Sequence, residues 1–215
     1  MMRACLGIVV GWSLLTAACP AAELAPEEAA EGFEVLFDGK SLEHWQGAVD
    51  GYRVTPEGTI LCDPGGNLYT KKQHGDFVLR FEFKLPPAGN NGVGIRTPMG
   101  KDAAYYGMEI QILDSEHPRY ANLLDTQHHG SIYKVAAAKQ GHLKPTGEWN
   151  TEEIQADGPH IKVTLNGTVI LDTDLSKLPD PYPDHPGLHN KTGYIGFLGH
   201  DSAVEFRNVR IKRLR

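Results

Sequence analysis

The sequence predicts an all-β protein, a two-sheet antiparallel sandwich of jelly-roll type, and three observations predict it. Residues 76–85 alternate: Phe77, Leu79, Phe81, Phe83 and Leu85 fall on one side of a strand, while Arg80, Glu82 and Lys84 fall on the other. Five large apolar side chains on one face demand an opposing layer, hence a second sheet. Asn166-Gly167 separates two apolar runs, 161–165 and 168–171, and Asn-Gly favours the hairpin turn that matches strand twist. No segment keeps a helical period, and 24 glycines with 14 prolines suit a turn-rich chain.

The elements follow in order. Met1-Met2-Arg3 is a short basic start, and residues 6–18 are an apolar run of signal-peptide length, too short for a usual membrane span. Small residues at Ala17, Ala18, Ala21 and Ala22 offer a cleavage site, so residues 1–22 are expected to be an export signal. The protein would then be periplasmic or secreted, with no other transmembrane segment. Thr16-Ala17-Ala18-Cys19 also resembles a lipoprotein site, which leaves an outer lipoprotein anchored at Cys19 as the lesser alternative. Residues 23–31 are rich in Ala, Glu and Pro and read as a linker. Residues 32–215 form a single domain of about a dozen short strands. Phe33 opens the first, which ends in the turn Asp38-Gly39, and 59–62 form another, ending in Asp63-Pro64-Gly65-Gly66. Residues 193–198 and 204–214 close the domain. In the last strand the apolar positions shift from Val204 and Phe206 to Val209 and Ile211, so a bulge is expected near Arg207-Asn208.

A net charge of −6 with scattered Lys and Arg argues against nucleic acid as a partner. Loss of the signal removes Cys5 and Cys19. Cys62 is then alone, and no intramolecular disulfide can form in the mature chain.

The stretch 106–114 carries the most chemistry. Glu109 and Gln111 alternate with Met108, Ile110 and Ile112, so the two polar groups share one face of a strand. They either face water or line a groove. A bulge after Gln111 would bring Asp114 to the same face, and paired carboxylates are the acid/base equipment of glycoside hydrolysis. Arg96, shortly before this strand, and Asn91, in the turn before it, are candidates to hold sugar oxygens. Among the aromatic residues Tyr105 and Tyr106 are the best groove wall, Tyr106 being the chosen contact. His128, beside His129, is a candidate for binding, and His200, next to Asp201, for proton transfer. No histidine pair has the helical spacing of a zinc protease, and there is no Cys-x-x-Cys. No cofactor is required by a motif, and a divalent metal held by separate loops stays open.

Several pieces of the chain, taken in order, resemble one bacterial family. They are residues 32–45 (GFEVLFDGKSLEHW), 77–83, 89–96, 107–114, Ser131-Ile132-Tyr133, Gly147-Glu148-Trp149-Asn150, Leu165-Asn166-Gly167 and 193–212. The family is the 3-keto-disaccharide hydrolase domain, also known as domain of unknown function 1080. The resemblance implies a concanavalin-like jelly roll. It also implies a secreted carbohydrate-active enzyme acting on 3-keto-glycosides made by an upstream sugar 3-oxidoreductase. The chemistry implied is C2 proton abstraction and elimination, then hydration; our own assignment for this route takes Glu109 or His200 as base, Asp114 as acid and Arg96 as support for the enolate. Glu-x-Gln-x-x-Asp here stands where laminarinase-type glycosidases carry Glu-x-Asp-x-x-Glu. Gln111 cannot ionise, which speaks against the ordinary two-carboxylate mechanism. A non-catalytic, lectin-like carbohydrate-binding module is the alternative.

Overall fold

The computed structural model describes residues 24–179 and 182–214. The export signal with Cys5 and Cys19 lies outside the described residues. Thirteen strands form two antiparallel sheets among the described residues. They are β1 (Phe33–Val35), β2 (Trp45–Gly47), β3 (Tyr52–Val54), β4 (Ile60–Cys62), β5 (Gly65–His74), β6 (Phe77–Lys84) and β7 (Asn90–Thr97). Then follow β8 (Met108–Leu113), β9 (Trp149–Asp157), β10 (His160–Leu165), β11 (Thr168–Asp174), β12 (Gly193–His200) and β13 (Glu205–Arg213). The eight-stranded sheet runs β11-β10-β9-β6-β13-β4-β3, with β1 also paired to β13. The five-stranded sheet runs β2-β5-β12-β7-β8. This is the predicted sandwich.

Local chemistry accounts for the connections. Asn166 (φ 49°) and Gly167 (φ 83°) both take left-handed backbone, as the turn between β10 and β11 requires. The bulge in β13 falls between Arg207 and Arg210, with Asn208 at φ 51°. The stretch read as a linker carries one turn of helix, α1 (Pro26–Ala30), started by Pro26. Its Glu28 pairs with Arg80 at 3.0 Å and Arg210 at 2.7 Å, on the outer face of the larger sheet. Ser131-Ile132-Tyr133, one of the pieces that carry the family resemblance, makes only a single bridge from Ile132 to Ile110 against the smaller sheet.

The core lies between the sheets. Phe77, Leu79, Phe81 and Phe83 of β6 are fully buried there, as their alternation predicts. Phe197 of β12 stacks on Phe206 of β13 at 3.8 Å between ring centroids, so one aromatic contact joins the two sheets. Trp45 stacks on Phe197 at 5.3 Å and donates its indole N–H to Leu36 O at 3.0 Å.

Truncation of this clamp has a defined cost. Phe206→Ala is expected to lower unfolding free energy by about 3–5 kcal/mol, read as a shift of the urea midpoint at constant slope. A loss under about 1 kcal/mol would mean that the stack does not hold the sheets.

Candidate functional site

Strand parity sets which side chains face away from the core. In β12 Phe197 points inward, so Leu198 and His200 point outward. In β8 Ile110 and Ile112 point inward, so Glu109 and Gln111 point outward. The same outer face carries Asn90, Gly92 and Gly94 of β7 and Asn67 of β5. A second helical turn, α2 (Ala103–Tyr106), lies against this face. Its N-cap Asp102 accepts the Ala104 N–H at 3.0 Å. Tyr133 reaches over from the segment that follows Ile132, and its N–H donates to Glu109 O at 2.9 Å.

Together these enclose a cavity of about 260 Å³ lined by Asn67, Asn90, Asp102, Ala103, Ala104, Tyr105, Glu109, Gln111, Tyr133, Leu198 and His200. That is just below the range of about 300–1,000 Å³ usual for ligand pockets. One sugar ring with its neighbour outside suits such a space.

Glu109 is the buried charge of the site, only 5% exposed. Its carboxylate lies over Gly92, where a Cβ would come within 2.8 Å of both Glu109 Cγ and Cδ. Any side chain at position 92 would therefore push the carboxylate aside. An enclosed carboxylate needs a compensating charge, and His200 supplies it, with Nε2 3.9 Å from Glu109 Oε1. At that distance the contact is an ion pair rather than a hydrogen bond. The Glu109 carboxylate raises the His200 pKa above the ordinary 6.5, partial burial opposing it. The cavity thus sets the Glu109 side chain beside an imidazole whose protonated form it favours.

The other sequence-predicted residues are placed elsewhere. Asp114 does not join Glu109. The β7–β8 register is unbroken from Ile95↔Met108 to Asn90↔Leu113, so no bulge follows Gln111 and Asp114 keeps the inward parity. Its carboxylate accepts the Ala88 N–H at 2.9 Å and holds the loop between β6 and β7. Arg96 is also absent from the cavity. It is 2% exposed, and its guanidinium donates to Gly75 O at 3.0 Å, Gly158 O at 2.7 Å and Asp76 at 3.0 Å. Asn91 faces the core, fully buried, and accepts the Gly92 N–H; its neighbour Asn90 reaches the cavity instead. Tyr106 points out, with 46% of its surface exposed, and Tyr105 takes the wall. His128 is half-buried and does not line the cavity, while His129 is committed to a buried pair with Glu152 at 3.1 Å. Gln111 and His200, both singled out in the sequence, stand on the cavity wall.

A larger cavity of about 640 Å³ lies at the other end of β7, lined by Arg96, Leu175, Tyr182, Leu188 and Asn190 among others. Its guanidinium is committed to backbone carbonyls and Asp76, and neither Glu109 nor His200 reaches it. Size alone does not make it the chemical centre. Among the described residues no three His, Cys, Asp or Glu side chains converge as metal ligands.

Residues 32–212 match the model of the family described as the 3-keto-alpha-glucoside-1,2-lyase-like domain. A 3-keto-disaccharide hydrolase of Bacteroides thetaiotaomicron is 27% identical over 230 residues, covering 86% of this chain and 79% of its own. Among solved structures, a provisionally assigned glycosyl hydrolase from Parabacteroides distasonis is 26% identical and superposes with a TM-score of 0.79, over 91% of this chain and all of its own. Another from the same organism is 29% identical with a TM-score of 0.76, over 85% of this chain and 99% of its own. The exoplasmic domain of VIP36, at 12% identity and a TM-score of 0.52, shares the fold alone.

The charge pairing is testable without a substrate. His200, followed by NMR, is expected to titrate above 6.5 in the native protein, and Glu109→Gln to bring the midpoint down. Gly92→Ala, which displaces the carboxylate but keeps it, is expected to give an intermediate midpoint with the fold intact. Equal midpoints in all three proteins would dissolve the pair.

Proposed function

The chain belongs to the 3-keto-alpha-glucoside-1,2-lyase-like domain family, and from that premise we propose that it cleaves the glycosidic bond of 3-keto-glycosides by removing the C2 proton. It is carbohydrate-active, and the named 3-keto-disaccharide hydrolase relative supports a sugar oxidised at C3 as its substrate. The observation that carries the mechanism is the Glu109–His200 pair enclosed in a one-ring cavity on the outer face of the smaller sheet.

The chemistry follows from what a ketone does to its neighbour. A carbonyl at C3 acidifies the C2 hydrogen. Glu109 takes that hydrogen as a proton, and the C–H electron pair becomes a C2=C3 double bond while the carbonyl pair moves onto oxygen. The enolate then re-forms C3=O, its electrons make C1=C2, and the bond from C1 to the glycosidic oxygen breaks. Protonated His200 delivers the proton that the departing oxygen needs. Water adding across C1=C2 completes a net hydrolysis. Enclosure of Glu109 favours a base that is poorly solvated and hence reactive. Asp102, the other carboxylate at the cavity, is engaged as the cap of α2. A carboxylate–imidazole pair is thus better suited to this elimination than to double displacement by two carboxylates.

A sugar 3-oxidoreductase must supply the substrate, and the export signal expected at residues 1–22 supports a periplasmic or secreted location for both steps. The test is incubation with trehalose and sucrose beside their 3-keto derivatives. Cleavage of the oxidised sugars alone is expected, with a C2 deuteron exchanged into water. Glu109→Gln should lower kcat about 10²–10⁴-fold. Cleavage of the unoxidised sugars, or full activity in Glu109→Gln, overturns the reading.

A further inference from the structure

The elimination puts a negative charge on the C3 oxygen, and that charge needs a stabilising partner. The cavity lining contains Glu109, Asp102 and His200 but, among the described residues, no lysine or arginine. Arg96 is bound elsewhere, and His200 is oriented to Glu109. A fresh oxyanion in such a site needs a preorganised donor.

Resting on the elimination proposed for this cavity, we propose that Tyr105 is a further catalytic residue whose hydroxyl donates to the C3 oxygen as charge gathers there, and that Lys134 is the positioning residue behind it. Lys134 Nζ donates to the Tyr105 hydroxyl oxygen at 3.1 Å. An ammonium has no acceptor capacity, so the tyrosine oxygen must accept and its own hydrogen is left to donate onward. Tyr105 lines the cavity, and the proposal directs that hydrogen into it. The Lys134 ammonium also sits 5.5 Å from the Tyr133 ring centroid, within reach of cation–π attraction.

Lys134 sits in a turn closed by the Val135 N–H to Ile132 O at 2.8 Å. Lys134 takes φ 59°, a left-handed conformation that a lysine adopts at a cost. Its N–H donates to Thr126 O at 2.9 Å, and the preceding Tyr133 N–H is bonded to Glu109 O. The segment that carries the cation is therefore stitched to the residue proposed as base. The Tyr105 ring also packs against His185, 5.0 Å between centroids.

Steady-state kinetics on a 3-keto-glycoside test the pair. Tyr105→Phe is expected to lower kcat about 10²-fold with KM changed less than about threefold, since the bond strengthens only as charge develops. Lys134→Met should lower kcat about tenfold, and Lys134→Arg should restore most of that loss. The double variant Tyr105→Phe/Lys134→Met should be no slower than Tyr105→Phe alone, because the lysine acts through the phenol. An unchanged kcat in a folded Tyr105→Phe, or losses that multiply in the double variant, overturns the proposal. If Glu109→Gln is inactive while Tyr105→Phe is not, only this inference fails. A native protein inert toward the keto sugars sinks both.

Discussion

The stack of Phe197 on Phe206 is the contact on which the rest depends. It joins the two sheets, and it fixes which way β12 faces. Once Phe197 points inward, Leu198 and His200 must point outward, because strand side chains alternate. Ile110 and Ile112 impose the same parity on β8. The outer face of the smaller sheet therefore receives Glu109, Gln111 and His200 as a consequence of core packing. A one-residue slip in either strand would bury the polar groups between the sheets and turn the apolar ones outward.

That face carries an asymmetric distribution of charge. Elsewhere buried or half-buried ionic groups are held by permanently charged partners: Arg96 is bound by carbonyls and Asp76, and Glu28 by Arg80 and Arg210. Such pairs hold loops and sheets in place. Glu109 differs, because the neighbour it meets is a half-exposed histidine whose protonated form the carboxylate favours. A group whose partner titrates can do proton chemistry; a group locked to a guanidinium cannot easily do so.

The pattern of glycines serves the same end. Gly92 leaves the space in which the Glu109 side chain lies flat against β7. A carboxylate held down on the sheet is shielded from water yet open to the cavity on its other side. The family to which the chain belongs acts on sugars, and a polar, aromatic-walled hollow of one-ring size is consistent with that chemistry.

Much of this was legible in the residues alone. Period-two alternation in 77–85 and 108–112, the Asn166-Gly167 turn and the shift of parity in the last strand determined the sheets, the hairpin and the bulge, because these depend on neighbours in the chain. The same alternation put Glu109 and Gln111 on one face. Asp114, Arg96 and Asn91 lie outside the cavity, each for its own reason. The unbroken pairing of β7 with β8 turned Asp114 toward the β6–β7 loop, the packing of surrounding turns consumed Arg96, and parity in β7 sent Asn91 into the core. Tyr105 was distinguished from Tyr106 only by how α2 sits on the sheet, and Lys134 left no mark in the pattern at all. The sequence by itself determined which strands form and which faces are polar. Only the tertiary structure decided which polar groups meet, because charges, cavities and proton-transfer partners are assembled from strands far apart in the chain.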